Sequence, residues 1–523
     1  MYFCHFTSFF LYLLRRKSFL RCLTKSIKIT QSHKDFNLYF FTSLHLCVNY
    51  ILRMKNYKKN RQVVSNLLIE DFASEGKCIG RLDGAVVFVE GNAAPGDVVD
   101  VEILSFKKKK FYEARVIATH SLSEKRAEPF CPYFGTCGGC KWQHIRYEDQ
   151  LQFKWQQVSD HLHRIAKVPL PEIEPILPSN KTTFYRNKLE YTFSNLRWFT
   201  NEEIAMGGEL ERNALGFHIP KRFDRILDIE KCFLQPDPSN DIRNGLRTFA
   251  LAKGFRFYDQ KHNEGFVRNL ILRTANTGDV MVIVQFAEPN QEDIDATMAF
   301  LAETFPQITS LQYIINTKGN DSYYDQTAIL YAGKPYIEEQ MEGLIFRVGP
   351  KSFYQTNSDQ AYELYKIARE FAQLKGNEHV YDLYTGTGTI ANFVARQAKA
   401  VVGVEYVPEA IEDAKINSAI NGIENTRFYA GDMKNVLNED FLQQNGRPDV
   451  VITDPPRAGM DEPVVRTLLN MEPTKIVYVS CNSATQARDL AWLDEKYSVT
   501  RVRPVDMFPH THHVENVVLL EKK

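Results

Sequence analysis

The feature that most constrains the fold is a segment that reads as a strand, a glycine-bearing turn and a helix, HVYDLYTGTGTIANFVARQA at 379–398. Gly386 and Gly388 in the turn allow the backbone to bend sharply and to lie close to a ligand, because neither has a Cβ atom. From about residue 346 onward, apolar strands alternate with helical stretches. This alternation predicts a doubly wound α/β domain with a largely parallel sheet.

A second apolar strand, VVGVE, comes after the turn and ends at Glu405, seventeen residues after Gly388. A carboxylate at such a strand end can accept hydrogen bonds from both hydroxyls of a ribose. The turn lacks the G-x-G-x-x-G spacing that cradles a pyrophosphate, so a dinucleotide is not indicated. The pattern favours a nucleoside cofactor without phosphates, S-adenosylmethionine, over the alternative of an ordinary βαβ unit with a tight turn.

A loop with two prolines adds to this pattern. In PDVVITDPPRAGM, an apolar strand runs directly into Asp454, Pro455 and Pro456. The prolines restrict the loop, and the end of the strand places it at the carboxyl edge of the sheet, where open α/β folds bind ligands. Such a loop suits the presentation of a base or an amine to a methyl donor.

Near the C-terminus, Cys481 stands where the strand VYVS ends in a polar turn, SCNSATQARDL. Free cysteines are mostly packed like small apolar residues, and the local pattern alone favours that interpretation. The alternative is a nucleophile, whose thiolate form the nearby Arg488 would favour. A methyl-donor pocket in the same domain shifts the balance toward the nucleophile.

Three further cysteines form a tight group in CPYFGTCGGCKWQH, where Cys131, Cys137 and Cys140 have C-x5-C-x2-C spacing, and Cys232 lies 92 positions later. Nine cysteines with one cluster indicate a metal site in a reducing cytoplasm rather than a disulfide framework. Spacing leaves zinc and an iron–sulfur cluster equally open, with no metal as a lesser alternative. His144 is a competing ligand but is expected at the surface.

The region 62–119 has short strands with period-2 alternation, since Val99 and Val101 fall on one face and Asp100 on the other. It predicts a small β-barrel, a fold that commonly binds oligonucleotides. The chain carries 64 basic and 64 acidic residues, so any nucleic-acid site must be a local patch. The run Lys107–Lys110 is a candidate, with a solvated hairpin tip as the alternative.

The first 53 residues share no pattern with the rest of the chain. Their opening apolar run is about 14 residues long, shorter than the ~20 needed to cross a bilayer. We expect Met54 to be the true start, with residues 1–53 untranslated or disordered. Neither a membrane association nor a secretion signal is indicated, and a cytoplasmic protein is expected.

Together these segments resemble the RNA uridine-5-methyltransferase family over about residues 62–523. Within the family, the chain most resembles the bacterial enzymes that methylate a uridine of 23S ribosomal RNA and carry a TRAM barrel and a cysteine cluster. The segments that carry the resemblance are EGKCIGRLDGAVVFVEGNAAPGD, CPYFGTCGGCKWQH, FYRNKLEYTFS, SFYQTN, DLYTGTGT, DPPRAG, SCNSATQARDL and HTHHVENVVLL.

The resemblance implies roles for particular residues. It makes Cys481 the nucleophile and Glu515 the proton acceptor, with the histidines of the HTHH segment as rival bases that are expected to be a solvated group. It implies a [4Fe–4S] cluster held by Cys131, Cys137, Cys140 and Cys232. It also implies that S-adenosylmethionine contacts Gln355, Tyr384, Glu405 and Asp454. One departure is Thr389, where relatives often carry Asn, which puts that cofactor contact in doubt.

The expected fold is α/β, with a small OB-like β-barrel, a central α+β domain and a C-terminal Rossmann-like methyltransferase domain. The expected boundaries are 1–61 for the extension, 62–120 for the RNA-binding TRAM barrel, 121–345 for the central domain with the cluster, and 346–523 for the methyltransferase domain. The expected reaction is methylation of uridine C5 in 23S rRNA by a monomer. A tRNA uridine is the alternative substrate, and the lesser alternatives are a non-catalytic RNA-binding factor and a radical methylthiotransferase, whose C-x3-C-x2-C motif is absent.

Overall fold

The computed structural model describes residues 62–73, 76–107 and 110–523. The predictions about residues 1–61, including the start at Met54, and about Lys108 and Lys109 lie outside the described residues. The chain divides into two compact units. One holds Cys78–Leu122 together with the residues up to Asp71, and the other holds Phe72–Lys77 together with Ser123–Lys523. In the described part, no helix is long and apolar enough to cross a membrane.

The first unit is built on a six-stranded sheet in the order β1-β5-β6-β4-β3-β2. Val99 and Val101 are buried on one face, as the period-2 pattern predicts. The sheet curls so tightly that a Cβ at Gly80 would lie 2.8 Å from the carbonyl oxygen of Leu68 on β1. The strands are β1 (Val63–Leu68), β2 (Asp71–Phe72), β3 (Cys78–Leu82), β4 (Ala85–Glu90), β5 (Val98–Lys107) and β6 (Phe111–Ser121).

The second unit begins with the cysteine-bearing loops and the helix α1 (Tyr147–His161), which continues as a π-helical turn over Leu162–Ala166. A seven-stranded sheet comes next, in the order β13-β12-β11-β10-β7-β8-β9. Its strands are β7 (Lys188–Ser194), β8 (Ala214–Ile219), β9 (Arg222–Asp228), β10 (Val267–Thr274), β11 (Val280–Phe286), β12 (Ser310–Ile315) and β13 (Ile329–Gly333). The helices of this region are α2 (Asn201–Met206), α3 (Ser239–Ala252) and α4 (Gln291–Thr304).

Residues 276–278 form the turn of a hairpin, because Thr274 on β10 pairs with Val280 on β11. A separate hairpin of β14 (Ile337–Met341) and β15 (Leu344–Val348) precedes the last sheet.

The C-terminal sheet has seven strands in the order β18-β17-β16-β19-β20-β22-β21. Its strands are β16 (His379–Leu383), β17 (Ala400–Glu405), β18 (Thr426–Ala430), β19 (Val450–Thr453), β20 (Lys475–Ser480), β21 (Tyr497–Val505) and β22 (Glu515–Lys522). The helices are α5 (Ser358–Ala372), α6 (Thr389–Ala395), α7 (Pro408–Ile420), α8 (Met433–Val436), α9 (Glu439–Asn445), α10 (Glu462–Met471) and α11 (Ser483–Leu493). The doubly wound α/β prediction is confirmed.

The strand directions gather the predicted site residues at one edge. β16, β17, β19 and β20 pair in parallel, so their carboxyl ends share that edge. β22 runs antiparallel to β20, so its first residue, Glu515, lies at the same edge. Ligands of open α/β sheets bind at this edge.

Candidate active site

The turn after β16 is shaped to lie against a ligand. Tyr384, Gly386 and Gly388 all have positive φ, at 63°, 55° and 74°. A Cβ at Gly388 would lie 2.9 Å from the Cβ of Ala414, so this position needs glycine for packing. A Cβ at Gly386 would meet nothing within 4 Å, which leaves open space beside the turn.

Glu405 is held at the end of β17 by backbone donors. The Gly386 N–H donates to its Oε2 at 3.2 Å, and the Val407 N–H donates to its Oε1 at 3.0 Å. The carboxylate is only partly buried, so its remaining acceptor positions can meet a ligand. Tyr384 lies close enough for Glu405 to contribute to a raised tyrosine pKa, although burial is the main cause.

The Gln355 segment is bound to the central sheet. Asn187, which immediately precedes β7, donates from Nδ2 to the carbonyl oxygen of Gln355 at 2.9 Å and to Ser358 Oγ at 2.8 Å. The Gln355 side chain reaches the hydroxyl of the buried Tyr365. The charges of Asp454 and Glu515 also act on Tyr365, so Gln355 lies beside the residues at the sheet edge.

The buried carboxyl of Asp382 accepts hydrogen bonds from the glycine turn and from the helix that follows it. Asp382 on β16 is fully buried, accepts a hydrogen bond from the Thr385 hydroxyl, and accepts another from the Ala391 N–H at 2.9 Å. Burial raises the pKa of Asp382 to about 7. Asp454, at the end of β19, has its pKa raised by burial and then by the charge of Asp382.

Cys481 and Glu515 are brought together by the register of two antiparallel strands. Ser480 on β20 pairs with Asn516 on β22, so Cys481 and Glu515 occupy the next positions along the two strands. Neighbouring strands lie about 4.8 Å apart, which places both side chains at one end of the sheet. Cys481 is partly accessible, whereas Glu515 is 4% exposed.

The acidic side chains at this edge disfavour one another's ionisation. Burial, with Glu515 and Asp454 next, raises the pKa of the Cys481 thiol to about 12. Burial, together with the charge of Asp454, raises the pKa of Glu515. Two carboxyls and a thiol therefore share a small volume in which negative charge is disfavoured, and a cation bound there would lower all three pKa values.

The expectation that Arg488 favours the Cys481 thiolate is wrong. Arg488 pairs with Asp489 at 2.6 Å and donates to the carbonyl oxygens of Ala458 and Met460, so it braces the proline loop. The cation that lowers the Cys481 pKa is Arg457, in the DPPR loop itself.

The expectation that His510, His512 and His513 form a solvated group is also wrong. His510 is buried, and His512 and His513 are partly buried. Burial lowers the pKa of His510 to about 4 and that of His513 to about 3, which makes both weak bases. The His510 N–H instead donates to Gln150 Oε1 at 2.8 Å.

Sequence reasoning missed a buried ion pair beneath this segment. Lys154 on α1 and Asp506 are both fully buried, with Nζ and Oδ1 2.6 Å apart. Lys154 also donates to the carbonyl oxygen of Phe508 at 3.0 Å, and the Tyr147 hydroxyl donates to Asp506 at 2.8 Å. The signal was the spacing of Gln150, Lys154 and Val158, which puts a lysine on the apolar face of a helix.

The four cysteines form a second group of thiols. Burial first, and then the charges of Cys137, Cys232 and Cys131, raise the pKa of Cys140 to about 12. No three described His, Cys, Asp or Glu side chains are arranged to hold a single metal ion. Backbone N–H groups face the sulfurs, and Gly139 donates to Cys137 Sγ at 3.4 Å.

His144, expected at the surface, is 4% exposed. Its ring lies 5.2 Å from that of Phe134, centroid to centroid, so it packs inside the cysteine-bearing loop.

The comparisons with known proteins identify the family. The tRNA (uracil-5-)-methyltransferase family model matches residues 325–523, and the TRAM domain model matches residues 58–117. An "uncharacterized RNA methyltransferase" of Bacteroides thetaiotaomicron is 58% identical over 453 residues, which cover 86% of this chain and 99% of the relative. The chain belongs to the RNA uridine-5-methyltransferase family. It is an S-adenosylmethionine-dependent RNA (uracil-C5)-methyltransferase with an N-terminal TRAM domain.

Two further matches agree with this assignment. An RNA methyltransferase of Chlorobaculum tepidum is 37% identical over 479 residues, covering 90% of this chain and 99% of the relative. The crystal structure of Pyrococcus abyssi tRNA (uracil-54, C5)-methyltransferase in complex with S-adenosyl-L-homocysteine is 28% identical, with a TM-score of 0.66. That match covers 87% of this chain and 99% of the solved chain.

Proposed function

We propose that the enzyme methylates C5 of a uridine in 23S rRNA through a covalent adduct between Cys481 and uracil C6, and that Glu515 resolves this adduct. The observation that carries the proposal is the β20–β22 register. It brings Cys481 and Glu515 to adjacent strand ends at the ligand-binding edge, next to Asp454.

The two side chains supply complementary steps. The Cys481 thiolate forms a bond to C6, and the electron pair of the C5–C6 double bond moves toward C5 and O4 as an enolate. S-adenosylmethionine, when bound, would supply the methyl group to C5 and leave as S-adenosyl-L-homocysteine with the C–S bonding pair, and its positive charge would favour ionisation of the thiol. Glu515 then removes the C5 proton, the C5–C6 double bond re-forms and Cys481 leaves as thiolate, which divides a difficult substitution into easier steps.

The raised pKa of Glu515 suits its proposed role, because a carboxylate with a higher pKa is a stronger base. The low pKa values of His510 and His513 argue against either as the base. We further propose that Gln355, Tyr384, Glu405 and Asp454 contact the cofactor. The space beside Gly386 and the free acceptor positions of Glu405 support this assignment.

Replacement of Cys481 by alanine tests the nucleophile. We expect Cys481→Ala to abolish methyl transfer from labelled S-adenosylmethionine to RNA of a deletion strain, because no thiolate is left to activate C5. Binding of S-adenosyl-L-homocysteine should be unchanged. Full methylation by the variant would overturn the assignment.

Glu515→Gln should instead accumulate a covalent protein–RNA adduct, because addition and methylation proceed while removal of the C5 proton stalls. RNA containing 5-fluorouridine is the matched control, since fluorine replaces the proton and should trap the wild-type enzyme in the same way. A denaturing gel resolves the adduct in both cases. An adduct only with 5-fluorouridine RNA would exclude Glu515 as the base.

We also propose that Cys131, Cys137, Cys140 and Cys232 hold a [4Fe–4S] cluster. Four free thiols that influence one another's pKa, with backbone N–H groups toward the sulfurs, fit such a group. The resemblance of the cysteine motif to that of the ribosomal enzymes favours this cluster over zinc. Visible absorption and iron analysis of the anaerobically purified enzyme test the proposal.

The choice of 23S rRNA over tRNA rests on the resemblance of the cysteine motif and the TRAM segment to the ribosomal enzymes. Mass spectrometry of both RNA classes from a deletion strain tests it. Loss of 5-methyluridine from tRNA alone would replace the proposed substrate with the alternative.

A further inference from the structure

An aromatic surface lies beside the segment that leads to Glu515. We define it by Phe130, Phe184, Phe233 and Lys231. Phe130 and Phe184 are 38% and 37% exposed. The ring of Phe233 lies 5.6 Å from that of Phe130 and 6.2 Å from that of Phe184, so the three rings form one continuous apolar face.

Lys231 gives this face a positive charge. Its ammonium group lies 5.9 Å from the ring centre of Phe184 and 5.3 Å from that of Phe233, and the residue is exposed. Exposed aromatic rings combined with a cation match the chemistry of single-stranded nucleic acids, whose bases stack and whose phosphates are negative.

The backbone of Phe184 has an unusual conformation. Its φ is +52°, a conformation that a bulky residue rarely adopts. Two hydrogen bonds hold the segment, from Phe184 N–H to the Phe233 carbonyl oxygen at 2.8 Å and from Arg186 N–H to the Leu234 carbonyl oxygen at 2.7 Å. Strain of this kind is concentrated at functional sites. The strained, half-exposed ring is therefore a candidate for ligand contact.

The aromatic surface is continuous with the active-site segment. The ring of Phe130 lies 5.0 Å from that of His510, which precedes Glu515 by five residues. Phe130 and Phe233 are also the sequence neighbours of Cys131 and Cys232, so the aromatic surface lies next to the cysteine site. RNA that places a uridine beside Cys481 would bring its neighbouring nucleotides toward this face.

We propose that the aromatic surface binds unpaired nucleotides of the substrate RNA next to the target uridine. Bases stack on Phe130 and Phe184, and Lys231 neutralises a phosphate. The inference rests on RNA as the substrate and does not depend on the roles of Cys481 and Glu515.

The test uses the full-length protein and a short fluorescein-labelled single-stranded RNA of mixed sequence. We expect the Phe130→Ala/Phe184→Gly double variant to raise the dissociation constant about tenfold or more, because stacking contributes about 1–3 kcal/mol per base. Affinity for the same RNA annealed to its complement should change less than twofold. Phe223→Ala is the matched control, because Phe223 is 68% exposed but lies outside the aromatic surface, and it should leave both affinities unchanged.

Phe184→Gly alone separates binding from folding. Glycine removes the strain at φ +52°, so the melting temperature should hold or rise while single-strand affinity falls. Phe184→Trp should retain or increase affinity, because it keeps a ring at the same position. Unchanged single-strand affinity in the double variant would overturn the proposal, as would an equal loss of duplex affinity.

Two readouts keep this inference apart from the proposed function. Methyl transfer at saturating RNA should stay within about threefold of wild type in the double variant, with the loss confined to KM. Cys481→Ala should bind the RNA probe normally. Normal probe binding by the double variant would refute the aromatic surface even if Cys481 and Glu515 behave as proposed.

Discussion

Burial is the main cause of the raised pKa in both groups of thiols in this enzyme, but the neighbouring charges differ. At Cys137 and Cys140, burial acts together with the other cysteines, and backbone or side-chain donors face the sulfurs. At Cys481, burial acts together with two carboxyl groups, Glu515 and Asp454. The first environment suits sulfurs that stay ionised while they share a bound cation. The second keeps a single thiol protonated until a positive charge arrives.

A buried arginine strengthens this contrast. Burial raises the pKa of Cys232, and the charge of the fully buried Arg243 partly offsets this rise. The cation that partly offsets the raised pKa of Cys481 is Arg457, which is exposed. A buried cation beside Cys232 fits a site that carries negative charge. An exposed arginine beside Cys481 can be rearranged or screened when RNA binds.

Serine substitutions at the two sites should break the enzyme in distinguishable ways, and this is the largest effect we expect. Cys481→Ser should reduce methyl transfer by at least about a thousandfold, because covalent catalysis is lost, and should leave iron content and visible absorption intact. Cys137→Ser should remove the visible absorption and lower the melting temperature. Equal iron content in the two variants would contradict the division of labour between the thiols.

Substitution of the buried Lys154–Asp506 pair tests how much this pair stabilises the protein at the segment before Glu515. Lys154→Met should destabilise the protein by about 3–5 kcal/mol, because it leaves Asp506 charged and unpaired in the interior. Urea unfolding measures this. The Lys154→Met/Asp506→Leu double variant should recover most of the stability, since two apolar side chains can replace a buried ion pair.

The same double variant shows whether the pair positions the base. Without Lys154, the hydrogen bond from its ammonium group to the Phe508 carbonyl oxygen is lost. We expect the Glu515 carboxylate then to be less well aligned with the C5 proton of uracil. We expect the covalent adduct to accumulate, as we also predict for Glu515→Gln, with little change in KM. If the double variant regains its stability and accumulates no more adduct than wild type, the Lys154–Asp506 pair stabilises the fold but does not position the base.

Glu515→Gln should also change stability in a pH-dependent way. Burial raises the folded-state pKa of Glu515 above its unfolded value of about 4.5, so the folded carboxyl resists ionisation as the pH rises. The variant should match wild type at and below about pH 4.5, gain an advantage that grows between pH 4.5 and about 8, and keep a constant advantage above that range. Melting temperatures across this range should differ by about 2–4 °C at the alkaline end, where 1 kcal/mol corresponds to a few degrees. A stability advantage of the variant that grows toward acid pH would contradict this prediction.

The residues that could be predicted from the sequence are those set by local pattern. Gly386, Glu405, Asp454 and Cys481 each come at or just after the end of an apolar strand, and parallel strands must end at one edge. In the structure, these four residues lie at the carboxyl edge of the sheet. Strand periodicity therefore located most of the proposed site.

What the sequence could not show depends on long-range pairing and burial. The register of β20 with β22 decides that Glu515 meets Cys481, and no local pattern specifies it. The errors at Arg488 and the HTHH segment have the same origin. From sequence alone, a polar residue next to a predicted site is expected to face that site or solvent, whereas Arg488 is bound to Asp489 and His510 is buried.

The smallest effect is expected at Thr389, the departure from the pattern of the relatives. Thr389 opens α6 and is 8% exposed, with its hydroxyl 3.3 Å from that of Thr387. A neutral hydrogen bond contributes about 0.5–1.5 kcal/mol, so loss of one cofactor contact should weaken binding about two- to tenfold. We expect Thr389→Val to show that loss in calorimetric titration with S-adenosyl-L-homocysteine, and Thr389→Asn to bind at least as tightly as wild type. If Thr389→Val binds normally, the hydroxyl belongs to the turn and not to the cofactor site, and the catalytic contrast between the two thiol sites is unaffected.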